Sequence, residues 1–155
     1  MIVKHWDELT PVEVYVLARL RTEVFLREQG CTEEELDWRD LEATTEHYLL
    51  PAEEDAAPGE TAGHPALAAY LRVLTDPDAE GDGLVIGRVV TDPAHRGKGL
   101  ASRLLAAVIE RHGDEPLLLH AQVYAAGLYA KAGFAPVGEE FDEAGIPHIT
   151  MVRPA

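Results

Sequence analysis

Two cations and two glycines are crowded into Arg96-Gly97-Lys98-Gly99, directly ahead of a helical pattern that opens with Leu100-Ala101-Ser102. The charges stand against the positive end of a helix macrodipole, each unfavourable by roughly 0.3–1 kcal/mol when exposed. Each glycine weakens a first turn by up to about 1 kcal/mol relative to alanine. Free backbone N–H groups, small residues and positive charge in one place describe an anion site, most often for phosphate. Two common phosphate loops do not fit. A Walker A loop needs Ser or Thr after Gly-Lys, and Lys98 is followed by Gly99. A dinucleotide fingerprint needs glycine where Ser102 stands and an acid ending the next strand, where Leu117-Leu118-Leu119-His120 has none.

The elements around this loop follow from hydrophobic periodicity. Leu84 to Val90 is an apolar, β-branched run that predicts a strand buried on both faces. A turn at Asp92-Pro93 leads into the loop. Leu100, Leu104, Leu105, Val108 and Ile109 form one apolar helical face, closed at Gly113. Upstream, Ile2 to Trp6 predicts a short strand. Thr10-Pro11-Val12-Glu13 is a capping box with proline at the first helical position, opening a helix to about Glu28 that Gln29-Gly30 ends. Residues 31–43 are rich in acidic side chains and predict a loop or a short helix containing Trp38. Strands follow at Thr44–Ala52 and Pro65–Leu74, with surface turns at 53–65 and 76–83. Downstream come a strand at Leu117–Ala121, a short helix at about Ala125–Ala132, and strands at Phe134–Glu140 and Pro147–Val152 joined by a turn at Asp142–Gly145. The order β-α-β-β-β-α-β-α-β-β predicts a mixed sheet with helices on both faces.

The chain has 155 residues and a formal charge of −15, and its length suits one domain. That charge argues against nucleic acid or an anionic membrane surface as a partner. Five of the thirteen Lys and Arg nevertheless lie between Arg88 and Arg111, a basic island suited to a small polyanion. Cys31 is alone, so no internal disulfide forms, which suits a reducing cytoplasm. The first residues lack the apolar core of a signal peptide, and no run is long enough to span a membrane. The seven histidines show no metal-ligand spacing, so no metal is expected.

Arg96-Gly97-Lys98-Gly99-Leu100-Ala101 resembles the R/Q-x-x-G-x-G/A pyrophosphate signature of the GNAT superfamily of acyl-CoA-dependent N-acyltransferases. Tyr129-Ala130-Lys131-Ala132-Gly133-Phe134 is similar to the Y-x-k-x-G-F segment of the same superfamily. Within it the chain resembles ElaA-like proteins, through Leu20-Arg21-Thr22-Glu23-Val24-Phe25-Leu26-Arg27-Glu28-Gln29 followed by Cys31, and through Ile146-Pro147-His148-Ile149. The resemblance implies an α/β (α+β) fold: a mixed, mostly antiparallel central sheet of about seven strands with helices on both faces. Residues 1–155 would form a single acyltransferase domain.

The implied reaction moves acetyl from acetyl-CoA to a primary amine, on a small molecule or peptide, by direct attack in a ternary complex. Monomer and homodimer both remain open. The central strand is expected to splay from the strand at 117–121, so that the pantetheine arm pairs with main chain at Val89, Val90 and Thr91. The N–H of Val90 is the expected oxyanion donor, an interaction worth on the order of 2.7–4 kcal/mol. Arg96, Gly97, Lys98, Gly99, Leu100, Ala101 and Ser102 would hold the pyrophosphate. Tyr129 is the candidate general acid for the departing thiolate, and Glu28 and His148 are candidates for the acceptor pocket. No general base stands out among Glu28, His47, His120 and His148. An acyl-CoA sensor without an acceptor is the rival from another class. A nucleotide-dependent kinase is disfavoured by Gly99, which stands where the magnesium-binding hydroxyl would be.

Overall fold

A computed structural model describes residues 1–52, 63–76 and 83–155. The predicted acidic connections at 53–65 and 76–83 fall largely outside those residues. Thr10 caps the first helix as its sequence predicts: its hydroxyl accepts from Glu13 N–H at 3.2 Å, and the Glu13 carboxylate accepts from Thr10 N–H at 2.7 Å. Helix α1 (Pro11–Arg21) then widens into a π-helical stretch, Thr22–Glu28, rather than continuing as α to Glu28. Gln29 N–H donates to Val24 O at 2.9 Å, five residues back, and the Thr22 hydroxyl takes up the Ala18 carbonyl at 2.7 Å. Strand β1 (Ile2–Lys4) stops before Trp6, because the Glu8 carboxylate accepts from His5 N–H and turns the chain into a 3-10 turn at Trp6–Glu8.

The remaining elements are β2 (Glu46–Pro51), β3 (Leu67–Thr75), β4 (Leu84–Thr91), α2 (Leu100–His112), β5 (Leu117–Gln122), α3 (Ala126–Lys131), β6 (Ala135–Glu143) and β7 (Ile146–Arg153). They build the predicted mixed, mostly antiparallel sheet of seven strands, in the order β1-β2-β3-β4-β5-β7-β6. Among the described residues only β4 and β5 run parallel, and α2 makes the crossover between them. The β6–β7 turn is the two-residue type with positive φ at both positions, Ala144 (54°) and Gly145 (78°). Gly113 ends α2 with φ −65°, so its glycine is required by space and not by left-handed backbone: a Cβ there would collide with the Ile109 carbonyl.

Helices cover both faces of the sheet. On one, Leu104, Leu105 and Val108 of α2 and Tyr129 of α3 pack on Ile86, Leu117, Leu119 and Met151. On the other, Val16, Leu17, Leu20 and Val24 pack on Leu49, Tyr70 and Val90. Burying one such aliphatic side chain contributes about 1.5–3 kcal/mol. Ile86 and Val90 would share a face in a regular strand, yet they serve opposite cores. The register explains this: Tyr70 faces Val90 but Arg72 faces Gly87, so β4 carries one extra residue, and Arg88 has φ 55°. A bulge at Arg88 exchanges the two faces of the strand.

Residues 31–43 form a loop with a 3-10 turn at Arg39–Leu41, and Trp38 is exposed. An ion-pair cluster pins this loop to the fold. Arg21, fully buried, donates to Glu35 at 2.6 Å and Asp40 at 2.7 Å; Arg72 donates to Asp37 and, at 2.9 Å, to the same Asp40 oxygen. Burial alone would push the Asp40 carboxyl up, but the Arg21 hydrogen bond and the charges of Arg21 and Arg72 outweigh it and hold it below the ordinary range. Asp37 is held low in the same way, chiefly by Arg72 against its own burial. Burial pushes His47 below its ordinary range, and its ring bonds the Tyr70 hydroxyl and the Asp40 carbonyl.

All three groups therefore bind protons less readily folded than unfolded. Their contribution to stability is complete at neutral pH and is lost as pH falls, first below the histidine value of 6.5 and then below the aspartate value of 3.8. Asp40→Ala should cost roughly 3–5 kcal/mol in urea unfolding at pH 7, because two buried guanidinium groups lose a partner. The variant should also show a flatter decline of stability below pH 4 than the parent. A cost below about 1 kcal/mol, the worth of an exposed pair, would mean that the cluster does not anchor the loop.

Candidate active site

The parallel pairing of β4 with β5 lasts three residues, Leu84↔Leu117 to Ile86↔Leu119, and then the strands part. Beyond Ile86 the free edge of β4 opens onto a cleft of about 1130 Å³, whose lining includes Val89, Val90, Thr91, Arg96, Ala101, Tyr129, Glu28 and His148. The cleft thus brings together predicted residues from five separate segments. Gly97, Lys98, Gly99, Leu100 and Ser102 lie beside it and are not part of its wall.

The register decides which backbone groups face the gap. Asp92 N–H donates to Ala68 O at 2.9 Å, and Val90 stands opposite Tyr70 two residues earlier. Alternation along the strand turns the Val90 N–H toward β3 as well. The Val90 amide is therefore not the donor presented to the cleft, contrary to the sequence expectation. Those of Thr91 and, by the same alternation, Val89 face away from β3. The reason is the bulge at Arg88, which no apolar pattern announces.

At the mouth, α2 begins without a side-chain cap: Gly99 holds the N-cap position at φ 71°, and Gly97 also has positive φ, 76°. These are left-handed conformations that glycine adopts at little cost. The first N–H groups of α2 are thus left to an outside acceptor. Lys98 is exposed and has no ion-pair partner among the described residues. Arg96 is engaged with Glu28 at 2.9 and 3.1 Å and reaches the Thr91 carbonyl at 3.3 Å. Glu28 accordingly sits against the anion loop, which the sequence does not reveal.

Deeper in the cleft, Tyr129 packs edge-on against Phe134 at 6.4 Å. It is 7% exposed, and its hydroxyl has no hydrogen-bond partner among the described residues. Burial, with a small addition from Tyr124, pushes its pKa up to about 12, so the phenol stays protonated at neutral pH. On the far wall, β5 and β7 present His120, Gln122, His148 and Thr150, with Phe141 between the two histidines. Gln122 and Gln29 exchange amide hydrogen bonds (3.0 and 3.5 Å), joining the end of β5 to the end of the π-helical stretch. Sequence reasoning passed over this pair and over Arg88, which reaches from the bulge to Glu35 at 3.1 Å and Asp37 at 3.3 Å. Among the described residues, no group of His, Cys, Asp and Glu could hold a metal ion, and no helix is long and apolar enough to cross a membrane.

Comparison with known proteins fits this geometry. A family model described as an acetyltransferase (GNAT) domain matches residues 38–154. Protein ElaA of Escherichia coli K12 is 35% identical over 154 residues, covering 96% of this chain and 92% of its own length. The ElaA crystal structure superposes with a TM-score of 0.82 at 33% identity, over 98% of this chain and 97% of that one. An acyl-CoA N-acyltransferase from Pseudomonas aeruginosa gives 0.79 at 40% identity, over 98% and 97% of the two chains. An aminoglycoside 6'-N-acetyltransferase complexed with coenzyme A shares the fold, with a TM-score of 0.66 at 15% identity over 99% and 96%.

An anion entering the loop must compete with Glu28 for Arg96. Both side chains are close to half exposed, so their pair is worth at most about 1 kcal/mol. Glu28→Gln should therefore tighten coenzyme A binding by up to about fivefold in isothermal titration at low salt. Weaker binding in the variant would show that the carboxylate supports the bound state and does not compete with it.

Proposed function

The chain belongs to the GNAT acetyltransferase family, and from that membership we propose that it moves an acetyl group from acetyl-CoA to a primary amine of a small molecule or peptide, by direct attack in a ternary complex. The family makes it an acyltransferase that draws on acyl-CoA. What carries the finer proposal is the hydroxyl of Tyr129, unpartnered among the described residues, on a side chain that is largely buried in the wall of the same cleft as the open edge of β4.

The pyrophosphate would lie against the uncapped start of α2, taking N–H groups of Leu100, Ala101 and Ser102, with Lys98 and Arg96 supplying charge. The pantetheine arm would run along β4 as an added strand, paired with the main chain of Val89 and Thr91. The thioester oxygen would then meet one of those amides, and the sulfur would come to Tyr129. A phenol at about 12 lies roughly 3.5 units above a thiol of about 8.5, an uphill transfer of about 5 kcal/mol if nothing else changed. The thiolate forms in the same buried place, however, and desolvation raises its basicity as it raises that of the phenolate. The gap narrows for that reason, and transfer concerted with C–S cleavage never builds up the full charge.

Acetyl-CoA should raise the melting temperature while ATP and NAD do not, with about 2.7 kcal/mol of added stability at a hundredfold excess over Kd. No shift at millimolar acetyl-CoA would end the proposal. Tyr129→Phe should leave that shift intact and lower kcat by about 10²–10⁴-fold, less so with a donor whose leaving thiol is more acidic. Wild-type activity in the variant would reduce Tyr129 to a packing residue. Binding without turnover on any amine would favour an acyl-CoA sensor.

A further inference from the structure

His148 lies on β7 in the cleft wall with 7% of its surface exposed, and the steps above give it no part. Its ring is fixed from several sides. Nδ1 is 2.8 Å from the Ile146 carbonyl oxygen. A carbonyl oxygen only accepts, so Nδ1 carries the hydrogen and Nε2 keeps a free lone pair. Phe141 stacks on the ring at 5.9 Å, and Gln122 stands opposite in the β5–β7 register. Glu143 Oε2 is 3.6 Å from Nε2, beyond hydrogen-bond reach but close enough to form an ion pair when the ring takes a proton.

We propose that His148 is the general base that deprotonates the incoming ammonium group, an inference that rests on the amide-forming reaction proposed above. The other candidates fall away on geometry. Glu28 stands beside Arg96, at the end of the cleft assigned to the pyrophosphate. His47 is enclosed in the ion-pair cluster, with both ring nitrogens bonded. His120 meets the Thr150 hydroxyl at 3.1 Å, a group that can donate or accept, so its tautomer is not fixed. The titratable groups that share the cleft with His148 are Glu139 and Glu143 of β6, His120 of β5, Glu28 at the end of the π-helical stretch, Tyr124 and Tyr129 at α3, Arg96 ahead of α2, and the acidic loop from Cys31 to Arg39 with Arg72, Asp76 and Arg88 against it.

The proton count closes. An acceptor R–NH3+ gives one proton to Nε2, and the freed lone pair attacks the thioester carbon. The C–S bond breaks as the Tyr129 hydroxyl protonates sulfur. The second proton lost by the nitrogen, now an amide, restores the phenol. His148 returns its proton to solvent, so R–NH3+ and acetyl-CoA yield amide, thiol and one proton.

The test compares wild type, His148→Gln and Glu143→Gln with acetyl-CoA and two probe amines, n-propylamine, which is protonated at neutral pH, and methoxyamine, which is not. Thiol release and product mass are followed from pH 6 to 9, and acetyl-CoA binding by thermal shift controls for folding. His148→Gln should lose about 10²–10⁴-fold in kcat/KM with propylamine at pH 7, with the loss shrinking as pH rises and shrinking for methoxyamine. Glu143→Gln, altered at an exposed position on the hairpin, should show a smaller loss of the same pattern. In ¹⁵N NMR the wild-type ring should show hydrogen on Nδ1 and a bare Nε2 at pH 8. Equal losses with both amines, or hydrogen on Nε2, would overturn the assignment while leaving amide formation standing. A wild type that binds acetyl-CoA and acetylates neither probe would remove the amide-forming proposal, and this inference with it.

Discussion

The structure depends on one departure: β4 must leave β5 after Ile86 while staying paired with β3 as far as Thr91. A parallel pair held along its whole length would bury the edge on which the cleft is built. The bulge at Arg88 lies at the point of departure. It places a non-glycine residue at φ 55°, a left-handed conformation that costs an L-residue roughly 1–2 kcal/mol. The Arg88 side chain offsets that cost through Glu35, Asp37 and the carbonyls of Glu34 and Glu35. The same bulge sends the partly buried Val89 to the α2 core and the buried Val90 to the α1 core, so the strand packs on both cores although its hydrogen-bonding edge is open.

The ion-pair cluster belongs to the same device. Arg21 comes from α1, Arg72 from β3 and Arg88 from β4, and all three converge on carboxylates of residues 35–40. An acidic segment that could not pack on an apolar core is thereby fastened beside the cleft. A buried ion pair is weak evidence of net stability, since desolvation can exceed the Coulomb gain. What it fixes here is position: a loop that adds no side chain to the apolar core shared by α1, β3 and β4 is held to those three elements by hydrogen bonds of defined direction.

Much of this was legible in the sequence, and the failures have identifiable causes. The helix from Leu100, the capping box at Thr10, the succession of strands and helices along the chain and the family motifs at Arg96 and Tyr129 all rest on local patterns, and local patterns carry them. The change from α to π at Thr22 was not legible, because the apolar residues at Val16, Leu20 and Val24 fit either winding. The orientation of the Val90 amide was hidden because a bulge shifts register without altering composition. The arginine cluster did leave a trace. Arg21 stands four residues after Leu17 on a buried helical face, and Arg72 interrupts the apolar strand from Leu67 to Leu74. A charge in such a place needs a buried partner, and the acidic run after Gly30 was the available supply.

The charge distribution gives the cleft two ends. Toward α2 it offers Arg96, the neighbouring Lys98 and uncapped N–H groups. Elsewhere its walls carry Glu33, Glu34, Glu139 and Glu143, while the arginines there, Arg39, Arg72 and Arg88, are each paired with carboxylates. Within a chain of net charge −15, a polyanion gains nothing from long-range attraction to the body and is held only where local donors are dense. A cation finds the reverse. For the proposed reaction of an acyl-CoA with an ammonium group this polarity would separate the two substrates without any moving part, since each would be drawn to the end from which the other is repelled. In the proposed complex the neutral thioester would lie between them, on the stretch of β4 that the bulge has turned toward the gap. Screening by salt weakens attraction at both ends together, so under the proposed reaction specificity in the middle of the cleft would fall to the uncharged contacts: the β4 backbone, the Tyr129 hydroxyl and the fixed ring of His148.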